Sequence, residues 1–192
     1  MCIRDRNPEG TVTRRDLLTT PKSPAVWLSA LTALESGAST DETTQAAALA
    51  SRLAEEITAA DVILIGAPLY NWGPTPHMVC WIDLLWTDPR FAPRTYPLAG
   101  TPVVLVTARG GDGAAGGTRD DWDNSLPYLT RNFGPDVFGG ELTVIETPLT
   151  LADHNPHMAP LREKAAELRA QSLENADQLG RSFANDAVAT RI

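Results

Sequence analysis

Two short, uninterrupted apolar runs constrain this chain more than any other feature of its sequence. Val62-Ile63-Leu64-Ile65-Gly66 and Pro102–Thr107 (PVVLVT) are β-branched, too short for a buried helix, and bounded by polar or Gly/Pro signals. Runs of that kind predict strands buried on both faces, and such strands need helices above and below them. The intervening sequence supplies the helices. Ser39-Thr40-Asp41-Glu42 has the S-x-x-E spacing of a capping box, and Ala46, Leu49, Ala50, Leu53 and Ile57 then line one face of a helix that Asp61 closes. After the loop Ala67–Pro76, Met78, Trp81, Ile82 and Leu85 recur at i, i+3, i+4 and i+7. Leu142–Thr147 (LTVIET) predicts a third strand. A last helix is expected from about Pro160 to Ala184, with Leu161, Ala165, Leu168, Ala176, Leu179 and Phe183 in register. Residues 11–16 (TVTRRD) give a weak strand signal, and residues 18–40 suggest a loop with a short helical piece around Trp27, Leu28, Leu31 and Leu34. Helices alternating with buried strands predict an α/β fold: a doubly wound parallel sheet with helices on both faces.

Composition narrows the function. A length of 192 residues suits one domain, and 24 Asp+Glu against 16 Lys+Arg leave a net charge of −8. That balance excludes a basic face for gripping nucleic acid. No apolar run approaches the roughly 18 residues of a membrane span, and the start has no long apolar signal-peptide core. Cys2 and Cys80 are the only cysteines, too few for a disulfide framework or a Cys-rich zinc site. The expectation is a cytoplasmic protein with neither a nucleic-acid nor a membrane partner.

In doubly wound sheets ligands sit outside the carboxyl ends of the strands, which directs attention to two loops. In Pro68-Leu69-Tyr70-Asn71-Trp72-Gly73-Pro74, the prolines and glycine explain a sharp turn by themselves. The aromatic–Asn–aromatic core would suit a planar ligand, with rings for stacking and an amide to read its edge. In Thr107-Ala108-Arg109-Gly110-Gly111, glycines permit close backbone approach and Arg109 offers five donors; a flexible loop with a surface arginine is the plainer reading. Gly111-Asp112-Gly113-Ala114-Ala115-Gly116 matches G-x-G-x-x-G, but Thr118-Arg119-Asp120-Asp121-Trp122-Asp123 and Pro127 are a poor start for a pyrophosphate-facing helix, so the match is read as composition. His154 and His157 read as a solvated loop rather than metal ligands. Cys80 reads as packing, and Trp81 and Trp86 as either core or a subunit interface.

The series strand, ADVILIGAPLYNW (residues 60–72), helix, strand and TARGG (residues 107–111) resembles the FMN-dependent NADH:quinone oxidoreductases and azoreductases of the flavodoxin-like superfamily, whose members read ADVIVIGAPMYNF and SRGG there. GTRDDWDNSLPYL (residues 117–129) is similar to the downstream segment of actinobacterial-type members, and the resemblance spans roughly residues 7–185. It implies a flavodoxin-like fold and a homodimer with FMN near the subunit interface. Leu69, Tyr70, Asn71 and Trp72, with Pro68, would hold the isoalloxazine near N5; Ala108, Arg109, Gly110 and Gly111, with Thr107, would cover its pyrimidine edge. Hydride would pass from NADH or NADPH through flavin N5 to a quinone or azo compound in ping-pong fashion. The flavin carries that chemistry, so no catalytic side chain and no metal is expected. A flavodoxin-like electron carrier with a protein partner, or a non-catalytic remnant, are the alternatives.

One departure stands out. The family begins with a buried strand and a Ser-rich loop whose amides hold the FMN phosphate at a helix N-terminus. Met1–Arg6 (MCIRDR) has no such pattern and looks like sequencing-adapter read-through, while NPEGTVTRRDL resembles the family's second strand. The expectation is a single domain over residues 7–185 that lacks its first strand, phosphate loop and first helix, followed by a tail at 186–192. Such a chain is expected to bind FMN poorly.

Overall fold

A computed structural model describes residues 10–19, 23–112 and 120–189, with side chains described as far as Phe183 in the last helix. Three parallel strands, β1 (Ile63–Gly66), β2 (Pro102–Ala108) and β3 (Glu141–Thr147), form one sheet in the order β1-β2-β3. The register sets Ile63 beside Val103 and Val103 beside Leu142. Each crossover carries helix: α3 (Pro76–Trp86) joins β1 to β2, and α4 (Ser125–Phe133) joins β2 to β3. Ahead of the sheet stand α1 (Pro24–Ser36) and α2 (Asp41–Thr58), and behind it α5 (Arg162–Ala189).

Side chains alternate across a strand, so Ile63, Ile65, Val103 and Leu105 share one face. All four are buried, in a cluster with Ala30 of α1, Leu53, Ala54 and Ile57 of α2, Ile82, Leu84 and Leu85 of α3, and Leu129 and Phe133 of α4. Removing a side chain such as Leu105 from water stabilises the fold by about 1.5–3 kcal/mol. The opposite face is covered only in part. There α5 runs along β3, with Ser172 Oγ donating to Glu146 O at 2.7 Å, over a small cluster of Leu149, Ala152 and Ala165. Val104 and Ile145 are buried, but Leu64 is 61% exposed and Val106 42%.

That exposure corrects the first strand expectation. The run at 62–66 is a strand from Ile63, but it is buried on one face and open on the other. Residues 11–16 form no strand; they are irregular, anchored where Arg15 Nε donates to Glu56 Oε1 at 2.7 Å on α2. The stretch read as mostly loop at 18–40 holds the full helix α1. Ser23 caps it by accepting from Val26 N–H, Pro24 stands at its first position where no amide is needed, and Gly37 ends it at φ 65°. The capping box of α2 lies one residue later than expected: Thr40 is the cap, and its partner is Thr43 rather than Glu42. Glu42 instead accepts from Ser29 Oγ at 2.9 Å, fastening α1 to α2.

The remaining elements lie close to expectation. β2 runs one residue past Thr107, β3 starts at Glu141, and a 3₁₀ turn over Pro156–Leu161 precedes α5. The adapter-like residues 1–6 and the glycine-rich stretch 113–117 lie outside the described residues. Trp81 and Trp86 belong to the core. Trp81 stacks on Phe133 with ring centroids 5.8 Å apart, and Trp86 Nε1 donates to Asn132 Oδ1 at 3.4 Å. Cys80 is buried beside them, and burial, then Asp83, pushes its thiol pKa up, as suits a packing residue.

Candidate functional site at the carboxyl ends of the strands

The parallel ladder does not stop where β1 stops. Ala67 N–H donates to Val106 O and Leu69 N–H to Ala108 O, both at 2.9 Å, so the chain after β1 stays attached to the end of β2. The buried Thr107 hydroxyl adds a clasp by donating to Ala67 O at 2.9 Å. On the other side Arg109 N–H donates to Thr147 O at 3.0 Å, and Thr150 N–H to Arg109 O at 3.1 Å. The two loops singled out in the sequence therefore share one rim.

Beyond Leu69 the chain reverses in a tight turn closed by Gly73 N–H to Tyr70 O at 3.1 Å. Its two central residues, Asn71 (φ 49°) and Trp72 (φ 62°), both occupy the left-handed region. Both dihedrals positive is the signature of a type I′ turn, in which the second central residue is usually glycine. A tryptophan there costs about 1–2 kcal/mol of backbone strain. Two contacts hold it: Trp72 O accepts Asn124 N–H at 2.9 Å, and its ring meets Trp122 edge-on at 5.3 Å. Tyr70, Trp72 and Trp122 all remain exposed at the rim.

Arg109 does not project freely into solvent. Its side chain is 15% exposed, with Nε paired to Glu146 at the end of β3 and Nη1 3.9 Å from Asp123 Oδ2. Asp123 also accepts from Ser125 N–H at 2.8 Å and Leu126 N–H at 3.0 Å, so it opens α4 as well as facing the arginine. Asp123 and Asn124 thus tie the β2 loop to the β1 loop through Arg109 and Trp72. A Cβ at Gly110 would come 2.6 Å from Leu151 Cδ1, so the exposed Leu151 side chain would have to turn aside, whereas Gly111 has open space.

The structure brings all ten sequence candidates, Pro68 to Trp72 and Thr107 to Gly111, to this rim. It adds Trp122, Asp123 and Asn124, which motif reading passed over. Their signal was present as an Asp-Asn pair directly before Ser125-Leu126-Pro127, a plausible helix opening in which proline sits in the first turn. His154 and His157 are exposed on the turns after β3, and among the described residues no group of three or more His, Cys, Asp and Glu could hold a metal ion. An open depression is lined by Pro127, Thr130, Arg131, Pro135, Asp136 and Leu142, along α4 and the start of β3. The rim thus offers apolar ring faces, backbone groups and a fixed arginine already balanced by two carboxylates, a combination suited to a flat, largely neutral ligand.

Comparison with known proteins agrees. A family model described as Flavodoxin-like fold matches residues 2–139. A Kineococcus radiotolerans protein named FMN-dependent NADH:quinone oxidoreductase is 36% identical over 94% of this chain and 86% of its own length. A Streptomyces coelicolor protein of the same name is 39% identical over 88% of this chain and 77% of its own. Among solved structures, an azoreductase from Bacillus anthracis superposes with a TM-score of 0.73 at 21% identity, covering 94% of this chain and 86% of that one. At that identity the superposition speaks for the fold: a flavodoxin-like parallel sheet with helices.

Proposed function

We propose that this chain, which belongs to the FMN-dependent NADH:quinone oxidoreductases of the flavodoxin-like fold, uses FMN to pass electrons from NADH or NADPH to quinones and azo compounds. Bound FMN would supply two-electron redox chemistry at N5 between the nicotinamide donor and the acceptor, in ping-pong fashion. The chain's own residues hold and orient. In this reading Pro68, Leu69, Tyr70, Asn71 and Trp72 would hold the isoalloxazine on its N5 side, and Thr107, Ala108, Arg109, Gly110 and Gly111 would hold its pyrimidine side. Glu146 and Asp123 fix the arginine, making it a positioning residue that sets the loop. No side chain has to give or take a proton in the hydride step.

The observation that carries the reading is the shared rim, where Leu69 N–H reaches Ala108 O and the Asp123-Asn124 pair joins Arg109 to Trp72. It suits the ring half of FMN. The phosphate half needs several convergent N–H donors, and the helix starts nearest the rim are already capped, α3 by Thr75 and α4 by the Asp123 carboxylate. The described residues therefore fit the ring and provide no anion cradle of their own at this rim.

The same reading makes the enzyme a homodimer, since Tyr70, Trp72, Trp122 and Leu151 stand exposed around the rim and a second copy would take them out of water. The test is NADH oxidation with menadione across a range of FMN concentrations. FMN-dependent turnover is expected, reduced about tenfold by Trp72→Ala as an aromatic contact is lost. Turnover that ignores FMN, or flavin binding without NADH consumption as in an electron carrier, overturns it.

A further inference from the structure

The rim carries one arrangement that holding a single flat ring does not require: two tryptophans set at right angles. Trp72 and Trp122 have ring centroids 5.3 Å apart at an interplanar angle of 80°, and they are 40% and 46% exposed. Trp81, by contrast, lies nearly parallel to Phe133 and is buried in the core. The exposed corner is kept against a cost, because Trp72 holds a positive φ of 62° to stand there. One residue clips both walls. Asn124 donates its backbone N–H to Trp72 O and its Nδ2 to Trp122 O, each at 2.9 Å. Space beside the two loops is clear, since a Cβ at Gly73 or at Gly111 would meet nothing within 4 Å.

A flat ring laid against one tryptophan face meets the other tryptophan edge to face, so both favoured aromatic geometries form at once. The stacked overlap grows with ring area, which favours a fused bicyclic ligand over a single ring. Charge narrows the choice further. Arg109 is met by Glu146 and Asp123, and Asp121, next to Trp122 in the chain, is exposed. These carboxylates outweigh the guanidinium and would repel an anionic group on the ligand. We propose that the Trp72–Trp122 corner is the acceptor subsite, built for neutral fused-ring quinones, and that Trp122 sets this preference. The proposal deepens the oxidoreductase reading and rests on it: the two loops take the flavin ring and the corner takes the acceptor. In the homodimer of that reading the corner becomes a slot between the subunits.

The test is isothermal titration calorimetry on the full 192-residue chain, alone and again in excess FMN. Two neutral, fully methylated quinones are compared: dimethylnaphthoquinone, which is bicyclic, and duroquinone, which is a single ring. The naphthoquinone is expected to bind about tenfold more tightly. Trp122→Ala should bring the two within about twofold, and Trp122→Phe, which keeps a ring at the corner, should retain most of the preference. Hydroxynaphthoquinone, an anion at neutral pH, should bind about tenfold more weakly than the dimethyl compound. In the parent chain the Trp122 indole N–H resonance should shift on adding the naphthoquinone, a readout that does not depend on any variant folding. No naphthoquinone binding in either condition, equal affinity for the two neutral quinones, equal binding of the anion, or a preference indifferent to Trp122→Ala would overturn the proposal. NADH oxidation is followed separately. The expected binding preference without FMN-dependent turnover would count against the oxidoreductase reading, whereas turnover without the preference would count against the corner alone.

Discussion

Val103 and Val106 lie three residues apart on β2, one on each face of the sheet. Val103 is fully buried beneath the helices, whereas Val106 is 42% exposed. Residue type, strand and ladder are shared, so the difference belongs to the layer opposite. Among the described residues, four helices pack on the Val103 side, and on the Val106 side α5 covers the β3 flank. An apolar strand thus reports that it can be buried, and only the neighbouring layer decides whether it is.

The sharpest way to break this comparison is to truncate both valines. Val103→Ala is expected to cost about 2 kcal/mol in urea unfolding, from lost transfer energy and the cavity left behind. Val106→Ala is expected to stay within about 0.5 kcal/mol. Equal costs would mean that the two faces do not differ in the free chain.

Next in size is the fastening of the covered side. Arg90 donates to Asp88 Oδ1 at 2.8 Å and to Ser51 O at 2.6 Å, tying the end of α3 to α2. Burial pushes the Asp88 carboxyl up, but hydrogen bonds from the Arg90 side chain and backbone outweigh it and hold the pKa below the usual aspartate value. A lowered carboxylate contributes stability above the unfolded-state pKa, about 3.9 for aspartate, and loses it as pH falls through the folded value. Arg90→Ala should therefore cost about 1 kcal/mol at neutral pH, the guanidinium being partly in water, and should flatten the acid limb of a melting-temperature profile.

Asp83 on α3 sharpens the contrast from the opposite sign. Burial raises its pKa, so the folded state favours its protonated form and loses stability as pH climbs through the folded value. Asp83→Asn should raise the melting temperature at pH 7 and leave it nearly unchanged at pH 3. A smaller effect is expected at the rim, where Trp72→Gly trades relief of the positive φ against loss of the Trp122 contact, for a net change within about 1 kcal/mol.

Much of this architecture was legible from periodicity. The apolar stripes of α2 and α3 and the run of β2 led to the right elements, because each buries residues its pattern marks; the run of β3 led to a strand of which Ile145 alone is buried. α1 was expected only as a short helical piece and α4 was not expected, although a proline in the first turn of a helix, Pro24 or Pro127, forfeits no intrahelical bond. The exposure of Leu64 was illegible in principle, since nothing in residues 62–66 encodes what lies across from them. The rim loops were found from their place after strands, but the bridge by Asp123 and Asn124 was not. Its partners, Arg109 and Trp72, are distant in sequence and adjacent only through the sheet.

The backbone bonds that carry the ladder past the ends of β1 and β2 have a consequence for kinetics. Leu69 is tied to Ala108 and Arg109 to Thr147, so the two walls stand one strand spacing apart before any ligand arrives. Their freedom is surrendered during folding, and no jaw has to close at encounter. Ligand association at this rim should accordingly follow a single exponential whose rate rises linearly with concentration, without the plateau that a slow rearrangement would impose.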